Sequence, residues 1–114
     1  MSTRVTRLLK SVTLRTGDTI SSGDVADLSD ANTLGIVFNV ESAGSGDAPK
    51  LKVVHSATNE ADTWLDFSPS AEVDLTAPGL TWIQEDAFTR WAGWTVTGTL
   101  NTPAVVTLDV IGKS

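Results

Sequence analysis

The sequence predicts an all-β fold, an antiparallel β-sandwich of jelly-roll-like type with about eight strands, and three observations point there. Valine and threonine together supply 28 of the 114 residues whereas glutamate occurs four times, a composition that favours pleated strands over helices. Apolar residues recur with a period of two in several segments, as expected where one face of a strand is buried. Turn-forming clusters of Gly, Asp, Asn, Ser and Pro interrupt these segments every 8 to 15 residues or so, the spacing of a sandwich rather than of a βα alternation.

The elements follow in chain order. A first strand is expected over Val5–Leu14 and a short one over Val25–Leu28. Thr33–Val40 is the clearest, with Leu34, Ile36, Phe38 and Val40 on one face and Thr33, Val37 and Asn39 on the other. Lys50–Ser56, Thr63–Phe67 and Glu72–Leu75 read as three further strands. The long segment Phe88–Thr97 places Phe88, Ala92, Trp94 and Val96 together. Pro103–Ile111 closes the set as a central strand: Val106, Leu108 and Val110 alternate with Val105, Thr107 and Asp109, and a proline is tolerated at the entry. Turns are expected at Thr16–Asp18, Ser21–Asp24, Ala43–Asp47, Thr58–Glu60, Ala77–Gly79 and Thr97–Asn101, and one helical turn at Gln84–Ala87.

Length and charge narrow the function classes. A folded chain of 12.0 kDa should expose on the order of 6,000 Å², against roughly 17,000 Å² when extended, which is one domain: a basic segment over 1–15 leading into a sandwich over 16–114. No apolar run is long enough for a membrane-spanning helix. The absence of cysteine removes disulfides, thiol nucleophiles and thiolate metal sites together. Arg4, Arg7, Lys10 and Arg15 give the first fifteen residues a charge of +4, while four cations and fourteen carboxylates give the remainder −10. A body of that sign disfavours phosphate contacts, so neither nucleic acid nor membrane is an expected partner. The leading cations also interrupt any secretion-type apolar region. The segment is either the basic first strand of an acidic domain or an arm that docks on an acidic neighbour.

Chemistry-bearing residues are sparse. His55 is the sole histidine; in phase with Leu51 and Val53, it reads as a hydrogen-bonded residue at the rim of the core, and Ser56 points to the opposite face. Asp24, Asp27 and Asp30 recur every third residue but lack the glycine and terminal glutamate of a calcium loop. Walker, dinucleotide-binding, nucleophile-elbow and zinc-helix motifs are missing. No catalytic, cofactor-binding or metal-binding residue is assigned, and the chain does not read as an enzyme. Of the four tryptophans, Trp64 and Trp94 fall in phase with apolar neighbours and are expected in the core. Trp91 falls out of phase on the outer side of its sheet and Trp82 in a loop. With Arg4, Arg7 and Lys10 these two are the candidate partner contacts, because exposed aromatics mark contact surfaces.

Phe88-Thr89-Arg90-Trp91-Ala92-Gly93-Trp94-Thr95-Val96-Thr97-Gly98-Thr99, followed by Thr102-Pro103-Ala104-Val105-Val106-Thr107-Leu108-Asp109-Val110-Ile111-Gly112-Lys113, resembles the C-terminal hairpin of small tailed-phage virion proteins. There an arginine-and-aromatic strand leads through a Gly-Thr and proline turn into an alternating last strand. Val37–Gly44, Leu51–Ala57 and Thr63–Phe67 resemble the preceding strands, so the likeness spans about Leu14–Lys113. Ala92-Gly93 departs from it, since larger residues usually stand there. The resemblance implies a jelly-roll structural protein of the virion: a decoration or cement protein on the capsid surface, made in the host cytoplasm, partnered by the major capsid protein and by itself as a homotrimer. It brings no catalytic residues. Two other readings stay open: a carbohydrate-binding sandwich of a tail or fibre, with Trp82 and Trp91 stacking on a glycan, and a small glycosidase, for which two carboxylates would suffice.

Overall fold

In the computed structural model, which describes residues 3–19, 24–87 and 89–114, the chain forms two antiparallel four-stranded sheets. The strands are β1 (Thr3–Leu14), β2 (Ala26–Asp27), β3 (Thr33–Ser42), β4 (Ser45–Ser56), β5 (Leu65–Asp74), β6 (Gly79–Asp86), β7 (Trp91–Thr102) and β8 (Ala104–Lys113). Sheet A has the order β1-β8-β3-β6 and sheet B the order β2-β7-β4-β5. The pairs β1·β8, β2·β7, β3·β6 and β4·β5 are those of one long ribbon folded back on itself at the β4–β5 connection. Rolling that ribbon up adds β3·β8 and β4·β7, and the product is a jelly roll.

Alternation decides which residues fill the space between the sheets. Leu34, Ile36, Phe38 and Val40 of β3 and Val106, Leu108 and Val110 of β8 are buried on the inner face of sheet A. Leu51 and Val53 of β4, Phe67 and Ala71 of β5, and Ala92, Trp94 and Val96 of β7 meet them from sheet B. β8 lies between β1 and β3, as its continuous apolar alternation predicts. The molecule exposes 5963 Å², the value expected of a folded chain of this mass.

Several expectations are corrected. Thr63–Phe67 and Glu72–Leu75 belong to one strand: β5 runs through both, and between them Phe67–Ser70 bulge out as the register jumps from Val53↔Ala71 to Val54↔Asp66. The glycine-rich stretches at 43–47 and 97–101 are mostly strand. Ser45–Asp47 pair with Thr99–Thr102 across one register shift, with a second between Asp47 and Lys50, and Gly98, at φ 73°, allows the close approach of the Ala48 carbonyl, 2.2 Å from where a Cβ would stand. Gly46 and Gly98 thus serve bulges, while Gly44 stays in the two-residue connection between β3 and β4. Gln84–Ala87 is not helical, since Gln84–Asp86 end β6. Trp82 is on that strand and not in a loop, and Trp64 precedes β5 half-buried instead of sitting in the core. Phe88 and the Ser21–Gly23 part of the second turn fall outside the described residues.

Candidate functional site

The outer face of sheet A is built from the residues that alternate with the core. Register aligns Val5, Ile111, Gly35 and Gln84 in one row across the four strands, and Arg7, Asp109, Val37 and Trp82 in the next. Leu80, opposite Asn39, follows on β6. Val5 is 62% exposed, Leu80 74% and Trp82 56%, so this face presents apolar side chains to solvent with one bidentate ion pair among them. In that pair Arg7 donates through Nε to Asp109 Oδ1 at 2.8 Å and through Nη2 to Oδ2 at 3.1 Å.

Gly35 positions the tryptophan. A Cβ on Gly35 would stand 2.5 Å from Cη2 and 2.7 Å from Cζ3 of Trp82, so the six-membered ring occupies the space that any side chain there would need. A strand glycine often marks such a close approach. Val37 flanks the ring from the position paired with Trp82.

Sheet B differs on its outer side. Ser56, fully buried at the end of β4, accepts hydrogen bonds from the backbone N–H groups of Thr58 and Asn59 and bonds the Thr63 hydroxyl at 2.6 Å, so the 57–64 segment folds over this end of the sheet. Trp91 does lie on the outer side, half-buried, with the Arg90 guanidinium 4.5 Å from its ring centroid. Arg90 also meets Asp27 at 3.4 Å, and the Ser29 backbone N–H donates to the same carboxylate oxygen. The Ser29 N–H and then Arg90 hold the Asp27 pKa below its ordinary value despite partial desolvation. This oxygen of Asp27 closes a local turn and an ion pair.

The five candidate contacts therefore do not form one site. Arg7 and Trp82 share a row on sheet A, three strand spacings or about 14 Å apart. Trp91 is on the opposite side of the sandwich, so one small ligand does not span both indoles. Arg4, at the edge of β1, reaches the Asp27 carbonyl at 3.4 Å beside a cleft of about 40 Å³, room for a water molecule or two. Lys10 is exposed within the second register shift of β1, between Leu9 and Val12, and makes no ion pair among the described residues. Val5, Gly35, Val37, Leu80 and Ile111 escaped the sequence reading; the signal for them was a glycine inside the clearest strand together with a face of β3 that is not polar throughout.

Titratable groups are dispersed. His55 stands at the rim between the sheets, its Nδ1 3.1 Å from the Thr89 hydroxyl and its ring centroid 4.6 Å from that of Phe67. Glu85, facing inward on β6, has its pKa raised by burial and by Asp86, partly offset by His55. A surface depression of about 300 Å³ at the β5–β6 turn contains Glu72 and Asp74, and Asp74 is engaged by the Thr76 backbone N–H and hydroxyl, which lower its pKa. Among the described residues no three His, Asp or Glu side chains converge as a metal site would require. Comparison with protein-family models, with curated proteins and with solved structures finds no match.

Proposed function

We propose that this chain is a structural binding module that docks through the outer face of sheet A, and that it serves as a decoration or cement protein on the capsid of a tailed phage. The observation that carries the docking role is the bare apolar face around Trp82, seated on Gly35, in a sandwich whose other side is covered at one end by its own 57–64 segment. A cement protein gains free energy by bridging subunits of a shell, which calls for open sheet edges and apolar anchors in place of a reaction pocket. The capsid as partner rests on the likeness of Leu14–Lys113 to small virion proteins. On this reading the chain is not an enzyme and resides on the virion surface.

The test is cosedimentation with empty heads assembled from the major capsid protein encoded in the same genome. Wild-type chain should saturate the heads, Trp82→Ala should lose occupancy, and Trp91→Ala should keep it. Equal loss from both variants, or no binding by wild type, overturns the reading. A saturable change of tryptophan fluorescence with oligosaccharides, abolished by Trp82→Ala, would assign the same face to a glycan.

A further inference from the structure

The sandwich has four sheet edges, and they are unequal. In sheet B, β2 is two residues long, and β5 is broken by its register jump and contains Pro69, which has no N–H to donate. Both are edges blunted in the ways that prevent further pairing. In sheet A, β6 pairs with β3 over eight successive residues without a shift and contains neither proline nor lysine. The first part of β1, Thr3–Arg7, likewise pairs with β8 without a shift.

These two regular edges are complementary. Thr3–Arg7 carries Arg4 and Arg7 and no acid, whereas β6 ends in Glu85-Asp86 and has no cation. Their levels in the sheet also coincide: Arg4, Gly112, Leu34 and Glu85 lie in one row, Val5, Ile111, Gly35 and Gln84 in the next, and Thr6, Val110, Ile36 and Ile83 in the third. Because every neighbouring pair in the sheet is antiparallel, β1 runs opposite to β6. Two copies set edge to edge at one level therefore bring β1 antiparallel to β6, with Arg4 opposite Glu85 and Val5 opposite Gln84.

We propose that copies of this chain associate head-to-tail by continuing sheet A, the Thr3–Arg7 edge of one copy pairing with the β6 edge of the next so that Arg4 faces Glu85. Within one copy Glu85 makes no ion pair among the described residues, while burial and the neighbouring Asp86 raise its pKa and His55 offsets part of that rise. Arg4 has only the long contact to the Asp27 carbonyl, while Arg7 stays with Asp109. The interface is heterologous, so every copy keeps one free edge of each kind and the assembly closes into a ring or grows. Trp82 lies beside the seam, which merges the outer faces of neighbours into one apolar surface. The inference concerns the protein alone in solution and stands whether or not it binds a capsid.

The chain has no cysteine, so engineered thiols report without background. The double variant Val5→Cys/Gln84→Cys, oxidised mildly, should give a series of covalently linked multimers on a non-reducing gel. Each single variant, and the off-register pair Val5→Cys/Leu80→Cys, should remain unlinked. A double variant that stays monomeric overturns the proposal, as do single variants that dimerise equally well, since they would show a two-fold β1–β1 or β6–β6 contact. In sedimentation, Arg4→Glu and Glu85→Lys should each weaken self-association about tenfold or more. An equimolar mixture of the two should restore it, as should both changes in one chain; failure to restore overturns the register.

Discussion

The two sheets share one core and differ in everything outside it. Sheet B spends its outer side on itself: Ser56 is buried beneath the 57–64 segment, Arg90 covers part of Trp91, and Lys52 is ion-paired with Asp66 at 3.3 Å. Sheet A leaves Val5, Leu80 and Trp82 in water and keeps two regular edges. Exposed apolar surface costs solubility unless something covers it, so under the proposed docking role the asymmetry separates a side that stabilises the monomer from a side that a partner would cover. Substitutions on the outer faces should then divide by readout: those on sheet B should move stability, and those on sheet A should move binding.

The largest effect is expected from Trp82→Ala, which should weaken capsid binding by about 2 kcal/mol or more, roughly thirtyfold, while thermal unfolding shifts little because the side chain is 56% exposed. A comparable fall in melting temperature would erase the distinction between the sheets. Ser56→Ala tests the other side. It leaves the N–H groups of Thr58 and Asn59 without their acceptor, and chemical denaturation should show a loss of about 1–3 kcal/mol with binding unchanged. Gly35→Ala forces the Trp82 ring to lift; stability should change by about 1 kcal/mol or less, whereas acrylamide quenching of tryptophan emission should rise and head occupancy fall.

The smallest effect is in acid. Asp27 and Asp74, both in sheet B, have pKa values lowered chiefly by the backbone N–H groups of Ser29 and Thr76. A lowered folded pKa contributes stability that is present above the unfolded value and lost as pH falls through the folded one. Glu85 in sheet A has the opposite sign: its raised folded pKa means that protonation on acidification relieves sheet A. Hydrogen exchange below about pH 4 should therefore show β2 and the end of β5 losing protection before β3 and β6. Simultaneous loss in both sheets would remove the electrostatic part of the contrast.

What could be read in advance follows the same division. Core strands with one buried face, such as Leu34–Val40 and Val106–Val110, announce themselves through period two, and the sandwich class follows from them; the number eight agrees only because two expected strands merge into β5 while β6 was not among those expected. β6 was not legible because Leu80, Trp82 and Gln84 face out while Thr81, Ile83 and Glu85 face in: its inner face is as polar as its outer one, so alternation carries no signal. Bulges defeated the pattern elsewhere. In β1 the shift after Arg7 sends Arg7 outward to Asp109 and Leu9 inward to Leu108, although the two are spaced to share a face. The candidate contacts came from residue type, place in the leading segment and, for Trp91, strand phase, which found Trp82 but could not separate its open side from the covered side of Trp91.

The pairing of β1 with β8 has a consequence for biosynthesis. Arg7 meets Asp109 across 102 positions of sequence, so the first of these eight strands to leave the ribosome waits for the eighth. Until then both of its backbone edges are unsatisfied, and closing so distant a contact is slow compared with local structure formation.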